Sequence, residues 1–421
     1  MPNNFDSNVT EKLAKKLLPS FENNRVVSRE VNTSKLSGQY NPNSGDAVSF
    51  KRPTDYNTIE TADGDISGET KSDIIVGKTT GVVQDYITVA AEWAEAEEAL
   101  KMGDKSDFFE RMGARLVTKL ETNFAKYAMS KAALLSGTTG TAITAWEHVA
   151  NTGAMLESTG VPKDGNWCCL VNPFTQVKLA GDQRGLGGET GSMTANQRAT
   201  IADNFAGLKV LSATTLGTIS TSSVSDRAGA LNGAPTATYL SVKDTMTQNL
   251  TVDGFGANLA IKAGERITIT GLNRLNLSTR EPVVDGNGNK IPFSAVVAED
   301  VTLDGTGAGT IKIAGPAIYE AGGAYNTVDA APADNMVVTL GGAADSIIQP
   351  NLFFHRDAFG IGSVPIQKLY STDTIITTRD GLQIRISKYA DGDANRNKVR
   401  FDMRPAFIDF NPFFAGHGYG S

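Results

Sequence analysis

The stretch N-W-C-C-L-V-N-P, residues Asn166–Pro173, has a distinctive local pattern and contains both cysteines of the chain. Its centre, W-C-C-L-V, is a continuous apolar run between polar turns, which is typical of a strand buried on both faces. Asn172 is placed to cap a short helix that begins at Pro173 and is ended by Gly181. The pattern therefore predicts a buried strand that leads directly into a helix.

The adjacent cysteines, Cys168 and Cys169, are predicted to belong to this buried strand and not to a reactive site. Consecutive Cα atoms are about 3.8 Å apart, whereas disulfide-bonded residues usually need about 4.4–6.8 Å. In a strand the two side chains point to opposite faces, so they cannot bind one metal ion together. A free cysteine in such a position behaves as a small hydrophobic residue.

Length and composition predict a globular protein of several structural units. The chain has 421 residues, of which 40% are hydrophobic and 20% charged, and this length exceeds what one ordinary core can fill. The net charge is −7 without a lysine- or arginine-rich block, which argues against a dedicated nucleic-acid-binding protein. There is no apolar signal core at the N-terminus, and no apolar run approaches the roughly 18 residues of a membrane helix. We therefore expect a soluble protein that is made in the cytosol.

Residues 46–92 are predicted to form a long hairpin, or ribbon. The segments Ala47–Pro53 and Asp85–Val89 alternate like strands. Between them lies a long connection rich in Gly, Thr, Ser and Asp, and connections of this length are usually functional or disordered. An isolated hairpin is marginal in water, so the ribbon needs another surface to lie on.

Two longer helices are also predicted. Residues 104–136 carry an apolar stripe at helical spacing, formed by Phe109, Met112, Leu116, Leu120 and Phe124. In a second helix, Thr144 and Glu147 fit a capping box. Its inner face is predicted to comprise Trp146, Val149, Ala150, Gly153 and Leu156.

Between about residues 215 and 335 the helical pattern is replaced by short strands with glycine-containing turns, which favours a small β-barrel or sandwich inserted into the rest of the chain. The strand candidates are Asn249–Val252, Arg266–Thr270, Phe293–Ala298, Thr310–Ile313 and Met336–Leu340. After residue 350 the pattern is mixed again, and Gln383–Lys388 and Val399–Pro405 alternate as strands do.

The search for catalytic or metal-binding chemistry yields no site. The three histidines, His148, His355 and His417, have no metal-ligand partner at i+3 or i+4, and neither a phosphate-binding loop nor a nucleophile elbow occurs. The loop Asp391–Asn397 imitates the first positions of a calcium loop, but Arg396 stands where glycine is required, so a polar turn is favoured. We predict no catalytic residues, no metal and no cofactor, and hence a protein that is not an enzyme.

Five segments carry a resemblance to a known family: W-C-C-L-V-N-P-F-T-Q-V-K-L-A, F-A-G-L-K-V-L-S (Phe205–Ser212), N-L-F-F-H-R-D-A-F (Asn351–Phe359), Arg385–Asp402 and Ile261–Leu272. In order and spacing they resemble the major capsid proteins of tailed phages with the Hong Kong-97-type fold. More narrowly, the chain resembles the P-twenty-two-type coat proteins of short-tailed phages, which carry an insertion domain.

The resemblance implies an α+β fold with an inserted all-β, barrel-like domain. Its expected parts are an N-terminal arm (1–45), an E-loop hairpin (46–92), a spine helix with part of the P-domain (93–139), the first part of the A-domain (140–215), the inserted β-barrel domain (216–334), the second part of the A-domain (335–380), and closing strands of the P- and A-domains with the C-terminus (381–421).

The resemblance also implies a function. The chain would assemble without covalent cross-links into pentamers and hexamers of an icosahedral shell, of the triangulation-seven class, through a procapsid that expands when the genome is packaged. The implied partners are other copies of itself, a scaffolding protein and a portal protein. The shell would enclose double-stranded DNA without sequence-specific binding, would not involve a membrane, and would be assembled in the cytoplasm of the bacterial host to become the virion capsid. The alternatives are a phage tail or baseplate protein and a soluble hydrolase with an appended β-domain.

The candidate contacts between subunits are charged residues on the E-loop and on one short loop of the insertion. The alternative for any one of them is a solvated charged loop, because exposed ion pairs contribute little. The candidates are Lys51, Arg52, Asp55, Asp63 and Asp65 on the E-loop, and Lys243 and Asp244 on the insertion.

Overall fold

The structure is a computed structural model that describes residues 17–19, 21–40, 45–94, 106–186, 201, 204–371 and 373–421. The predicted N-terminal arm therefore lies partly outside the described residues. The chain forms two compact units. Unit 1 comprises residues 1–48, 80–125 and 359–408, and unit 2 comprises residues 49–79, 126–358 and 409–421.

The described residues form the following elements. The helices are α1 Ser106–Met129, α2 Trp146–Thr159, α3 Pro173–Leu186 and α4 Tyr239–Val242, with short 3-10 helices at Arg356–Ala358 and Pro412–Phe414. The strands are β1 Ala47–Lys51, β2 Lys78–Val83, β3 Ile87–Ala94, β4 Leu134–Ser136, β5 Trp167–Val171, β6 Lys209–Ser212, β7 Ile219–Ser220, β8 Ala228–Leu231, β9 Thr247–Asp253, β10 Ala260–Ile261, β11 Arg266–Asn273, β12 Pro292–Val297, β13 Val301–Thr302, β14 Gly309–Ala314, β15 Val337–Leu340, β16 Ile347–Ile348, β17 Asn351–His355, β18 Phe359–Ser363, β19 Thr374–Thr377, β20 Gln383–Asp391, β21 Arg396–Met403, β22 Pro405–Asp409 and β23 Ala415–Gly418.

Helix α1 buries the whole apolar stripe that the sequence predicts, from Phe109 to Phe124. In unit 1, the Phe109 ring lies 6.1 Å from that of Phe401, and the Phe124 ring lies 5.1 Å from that of Phe407. These ring distances are those of favourable aromatic pairs. The amphipathic pattern therefore correctly identified the face of the helix that packs on strands β21 and β22.

The predicted continuation of this helix to residue 136 is wrong, because α1 ends at Met129. Carbonyl groups at the end of a helix lack partners within it, and Arg266 donates to the carbonyl groups of Ala132 and Ala133, at 2.7 and 2.6 Å. The next residues form β4, which pairs in parallel with β23. Strand pairing with a distant part of the chain thus outweighs the local helical preference.

The predicted hairpin has a different partner strand. Strand β1 lies beside β2, in a sheet of the order β1-β2-β22-β18, and β3 pairs instead with β21 along its whole length, from Ile87 opposite Met403 to Ala94 opposite Arg396. The prediction took Asp85–Val89 as the second strand because its alternation is the more regular. The actual neighbour, β2, contains a glycine and three threonine or lysine residues, so its pattern is weaker.

In unit 1, strands β19, β20, β21 and β3 form an antiparallel sheet. The predicted alternation of the last strand pair is confirmed, since Val399, Phe401 and Met403 are all buried. Asp391 pairs with Arg396 across the end of the β20–β21 hairpin, and its carboxylate accepts a hydrogen bond from the amide of Ala394. The segment that imitates a calcium loop is therefore a polar turn between two strands.

In unit 2, a mixed sheet of the order β4-β23-β17-β5-β6 contains the apolar run Trp167–Val171 as strand β5. All five residues of β5 are buried, as predicted, and Cys168 and Cys169 lie opposite Phe354 and Phe353 of β17. Burial raises the pKa of the Cys169 thiol to about 12. A thiol that remains protonated and buried has the packing role expected of it.

The helix caps agree only in part with prediction. Asn172 caps α3 by accepting a hydrogen bond from the amide of Phe174 at 2.9 Å, but the helix continues through Gly181 to Leu186. A glycine ends a helix when it adopts positive φ, and Gly181 does not.

The capping box predicted for α2 is wrong. The N-cap residue is Ala145, and the ring of His148 accepts the amide of Thr144 at 3.1 Å in place of the predicted Glu147 contact. Trp146 is 43% exposed, so it does not belong to the inner face. The histidine replaces the glutamate because its ring reaches back over the first turn from the third helical position.

Strands β11-β12-β14-β9-β8-β15 form a closed barrel in unit 2. Each of the five strand candidates in this region becomes one of its strands. The sixth strand, β8, was missed because A-G-A-L carries no clear alternation. The barrel is filled by aliphatic and aromatic side chains, among them Leu250, Ile267, Phe293, Ile311 and Val338.

Candidate functional site

Four of the seven predicted contact residues lie at the ends of the long connection between β1 and β2: Arg52, Asp55, Lys243 and Asp244. We call residues 52–57 and 75–78 the ribbon base, and residues 58–71 the ribbon tip. In unit 2 the ribbon base lies against α4, the loop after it, and the loop that contains Tyr325. The barrel strands position these loops, since α4 lies between β8 and β9, and Tyr325 lies between β14 and β15.

Arg52 is buried in the ribbon base and is not a surface residue. Its Nε donates to the carbonyl of Lys78 at 3.2 Å and its Nη1 to the carbonyl of Phe410, while its backbone amide donates to Gly77 at 2.9 Å. Burial lowers the pKa of the guanidinium, and the nearby carboxylate of Asp409 partly offsets this shift. Arg52 thus fastens the two ends of the ribbon to each other and to the C-terminal segment of its own chain.

Asp55 connects the ribbon base to two residues near the barrel. Its carboxylate accepts a hydrogen bond from Nη2 of Arg280, and its amide donates to the hydroxyl of Tyr325 at 2.9 Å. That hydroxyl donates in turn to the carbonyl of Ile75 at 3.3 Å. The Tyr325 ring is stacked on that of Tyr239 with a centroid distance of 3.7 Å. One tyrosine therefore bridges both ends of the ribbon.

Lys243 and Asp244 form the second attachment of the ribbon base to its own chain. Their side chains pair at 3.1 Å, and Asp244 accepts a hydrogen bond from the amide of Lys78 at 3.2 Å. Burial raises the pKa of Asp244, but the hydrogen bonds from Lys243 and Lys78 outweigh it, so the net shift is downward. A Cβ on Gly77 would lie 2.6 Å from the carbonyl oxygen of Lys243. Glycine is therefore needed at this close approach.

The other candidate residues are not part of the ribbon base. Lys51, Asp63 and Asp65 are exposed. Asp63 accepts the amide of Asp65 at 3.1 Å, and Asp65 accepts the amide of Ser67 at 2.8 Å, so both carboxylates shape a local turn in the ribbon tip. Hydrogen bonds from Ser67 lower the pKa of Asp65. Contact of any candidate residue with a second subunit stays a prediction.

The sequence analysis missed Asp409, whose carboxylate interacts electrostatically with Arg52. Asp409 is buried, and its Oδ1 has no hydrogen-bond partner. Burial raises its pKa to about 6, and the neighbouring cations Arg52 and Lys131 oppose the shift. The hydroxyl of Thr79 donates to the backbone carbonyl of Asp409 at 2.5 Å. The only sequence signal is an acidic residue at the end of the apolar run P-A-F-I-D.

The three histidines have structural roles. His148 caps α2, His355 lies 3.0 Å from Asp164, and His417 contacts the carbonyl of Met129 at 3.0 Å. Burial, with a contribution from Arg266, lowers the pKa of His417 to about 3, so it is neutral at physiological pH. Within the described ranges, no three metal-binding side chains come together. The same part of the chain contains no helix that is both long and apolar enough to cross a membrane.

The ion pair between Asp55 and Arg280 allows a first test of the ribbon base. Both side chains are partly exposed, at 44% and 22%, so we expect a coupling free energy of about 0.5–1 kcal/mol for unfolding. A double-mutant cycle with Asp55→Ala and Arg280→Ala, measured by urea denaturation of the unassembled subunit, provides this value. The more exposed pair Lys262–Asp300 is the control, with an expected coupling below about 0.5 kcal/mol. Equal coupling in both cycles would contradict a specific role of Asp55 in holding the ribbon.

Comparison with known proteins yields matches along the entire chain. Residues 1–420 match the family described as P22 coat protein, gene protein 5. A major capsid protein of Acyrthosiphon pisum secondary endosymbiont phage 1 is 36% identical over 425 residues, with 100% of both chains covered. Among solved structures, the capsid of Ralstonia phage GP4 overlaps with a TM-score of 0.44 at 10% identity, covering 94% of this chain and 90% of that chain. For Mycobacterium phage Che8 the TM-score is 0.45 at 10% identity, with 90% and 89% covered.

The full-length family match and the fold define a structural protein, the coat subunit of a tailed-phage capsid with the Hong Kong-97-type fold. This confirms the predicted fold class and the predicted resemblance. The chain belongs to the P22 coat protein family. That family is a structural one and not a class of enzymes.

Proposed function

We propose that this coat protein assembles without covalent cross-links into pentamers and hexamers of an icosahedral shell around double-stranded DNA. Assembly would proceed through a procapsid of the triangulation-seven class with a scaffolding protein and a portal protein, in the cytoplasm of the bacterial host. The chain would have no catalytic role. The predicted boundaries of N-terminal arm, E-loop, spine helix, P-domain, A-domain and insertion belong to the same proposal. Family membership over the whole chain supports it.

The observation that carries the proposal is the ribbon itself. Its own chain holds the base but leaves large apolar side chains exposed along the ribbon: Tyr56 at 53%, Ile66 at 44%, Ile74 at 73% and Val76 at 45%. Several such residues on one segment indicate a surface that another molecule covers. In a protein that forms shells, the covering molecule is a second copy. Many weak contacts of this kind become strong together when the shell closes.

Removal of the ribbon tip tests the proposal. The amide of Asn57 donates to Ser72 at 2.8 Å, so the ribbon is narrow just below the tip. Replacing residues 58–71 by an Asn-Gly turn, which suits a tight hairpin, should leave the ribbon base intact. We expect a folded, soluble subunit that forms no shells with scaffolding protein, as seen by negative-stain electron microscopy.

The control is a same-length replacement of residues 58–71 by glycine and serine, which keeps the reach of the ribbon and removes its side chains. Circular dichroism and urea denaturation should show both variants folded. Closed shells of normal size from the shortened variant would contradict the proposal. Tubes, open rings or featureless particles from the wild-type protein with scaffolding protein would contradict the proposed assembly into closed shells.

A further inference from the structure

Helices α2 and α3 lie side by side in unit 2 and contribute to one apolar cluster. Val149 and Leu156 of α2 and Leu179 of α3 pack with Cys169 and Phe353 of the five-stranded sheet. The amide of Trp146, at the start of α2, donates to Asp182 of α3 at 2.5 Å. The two helices therefore form a single layer with a fixed relative position, and each presents an outer face.

The outer face of α3 is apolar and basic. We define the α3 face as Phe174, Val177, Lys178 and Arg184, which lie on one side of the helix at spacings of three, four and ten residues. Phe174 is 84% exposed and Val177 is 55% exposed. Lys178 and Arg184 are exposed as well. Two large apolar side chains at such exposure on one helix are unfavourable in water unless another surface covers them.

The outer face of α2 is acidic. We define the α2 face as Trp146, Glu147, Ala154 and Glu157, all of which are exposed. The helix has no basic residue in its last turn. The cation near this face is Lys163, which pairs with Glu157 at 2.8 Å, and the ring of His148 lies 3.9 Å from Glu147. Trp146, at 43% exposure, provides an aromatic surface beside the acidic residues.

We infer that the α3 face of one subunit docks on the α2 face of the next subunit in a ring. The inference rests on the proposed function, because it takes the second surface to be another copy of this chain. Opposite charges complement each other, with Lys178 and Arg184 facing Glu147 and Glu157 of the neighbour, and Phe174 has Trp146 of the neighbour as an aromatic partner. Charge complementarity of this kind selects the partner and its orientation.

The proposed function selects a ring over a two-fold dimer. In a two-fold dimer the two faces would pair reciprocally between the same two subunits, whereas in a ring each subunit gives its α3 face to one neighbour and its α2 face to the other. A contact between two different patches is heterologous, and heterologous contacts close into rings when the rotation between neighbours permits it. Pentamers and hexamers are such rings, and each subunit would use both faces once.

The first test changes only the α3 face. In the variant Phe174→Asp with Val177→Asp, the exposed side chains contribute little to the free subunit, so its urea denaturation midpoint should be unchanged. Assembly with scaffolding protein should fall by about tenfold or more, because the same defect recurs at every contact in a ring. Normal shells from this variant alongside normal wild-type shells would overturn the inference and leave the proposed function standing. A clear loss of subunit stability would also overturn it, since it would show that the subunit's own chain covers the face.

A charge exchange tests the specific pairing. Lys178→Glu with Arg184→Glu should block assembly by placing like charges opposite each other. Combining these with Glu147→Lys and Glu157→Lys should restore at least part of the shell yield, as measured by sedimentation and negative-stain microscopy. Failure of the combined variant to recover, with each variant folded, would overturn the pairing of α3 with α2. Absence of shells from the wild-type protein would overturn this inference together with the proposed function.

Discussion

Replacement of Asp402 by alanine should lower the free energy of unfolding by about 3–5 kcal/mol, because it leaves a buried arginine without its counter-charge. The carboxylate of Asp402 is fully buried between strands of unit 1. It accepts hydrogen bonds from Nη2 of Arg385 at 2.5 Å, Nε of Arg400 at 2.6 Å and the hydroxyl of Thr88 at 2.6 Å. Urea denaturation of the unassembled subunit measures the effect.

Two further variants separate charge burial from packing. The double variant Arg385→Met with Asp402→Leu removes both members of the buried pair, and it should be more stable than Asp402→Ala alone. Glu92→Ala removes one partner of Arg396 on the same face of the sheet, at a position where both side chains are more than a third exposed, and should cost less than about 1 kcal/mol. A loss as small for Asp402→Ala as for Glu92→Ala would show that the buried network does not stabilise the sheet.

The same carboxylate makes the stability depend on pH. Burial raises the pKa of Asp402, but the hydrogen bonds from Thr88, Arg385 and Arg400 outweigh it and the net shift is downward. A lowered pKa in the folded state stabilises the protein above the unfolded-state pKa of about 3.9, and this contribution is lost as the pH falls through the lower folded-state value. The stability difference between wild type and Asp402→Ala should therefore narrow below about pH 4.

The parts of the fold that could be predicted from sequence are those that one local pattern determines. The stripe from Phe109 to Phe124 identified the buried face of α1, and the apolar run Trp167–Val171 identified a strand buried on both sides. Alternation likewise identified segments of the strands β20 and β21. In each case burial imposes a period on a short segment, and that period is visible without knowledge of the partner.

The parts that could not be predicted depend on residues far apart in the chain. Strand β1 lies beside β2 and not β3, because β3 pairs with β21, which lies some 300 residues later in the chain. The strand β8 is stabilised by its neighbours in the closed barrel and has no pattern of its own. The burial of Asp402 was missed because alternation assigns an aspartate to the polar face, and only the positions of its arginine partners make burial favourable.

The candidate site likewise has a part that could be predicted from the sequence and a part that could not. The sequence predicted that the ribbon contacts other subunits, which stays a prediction, and the structure leaves apolar side chains exposed along the ribbon. The sequence does not show which of two adjacent basic residues at a strand end is buried. Arg52 is buried against its own chain, whereas Lys51 is exposed. The partners that distinguish them, Lys78 and Phe410, are supplied by folding.

Replacement of Glu121 by alanine should have a second large effect, with a loss of about 3–5 kcal/mol in the free energy of unfolding. Glu121 lies on α1 and is 1% exposed. Its two carboxylate oxygens accept the amides of three consecutive residues, Val26 at 3.2 Å, Val27 at 2.6 Å and Ser28 at 3.1 Å. Converging amides of this kind form a concave binding site for a carboxylate, and alanine would leave two buried donors and one partly buried donor without an acceptor.

The effect should be local as well as global. Arg25 still holds the same segment in Glu121→Ala, because it pairs with Asp380 at 2.6 Å. We therefore expect residues 26–28 to separate from α1 while the rest of unit 1 stays folded. Hydrogen exchange at residues 26–28 should therefore accelerate more in Glu121→Ala than elsewhere in the chain. Glu121→Gln retains one acceptor oxygen and should lie between alanine and wild type, while Glu110→Ala, on the exposed side of the same helix, should change stability by less than about 0.5 kcal/mol. Equal stability of the two alanine variants would show that the carboxylate of Glu121 does not anchor residues 26–28, and that packing alone holds them on the helix.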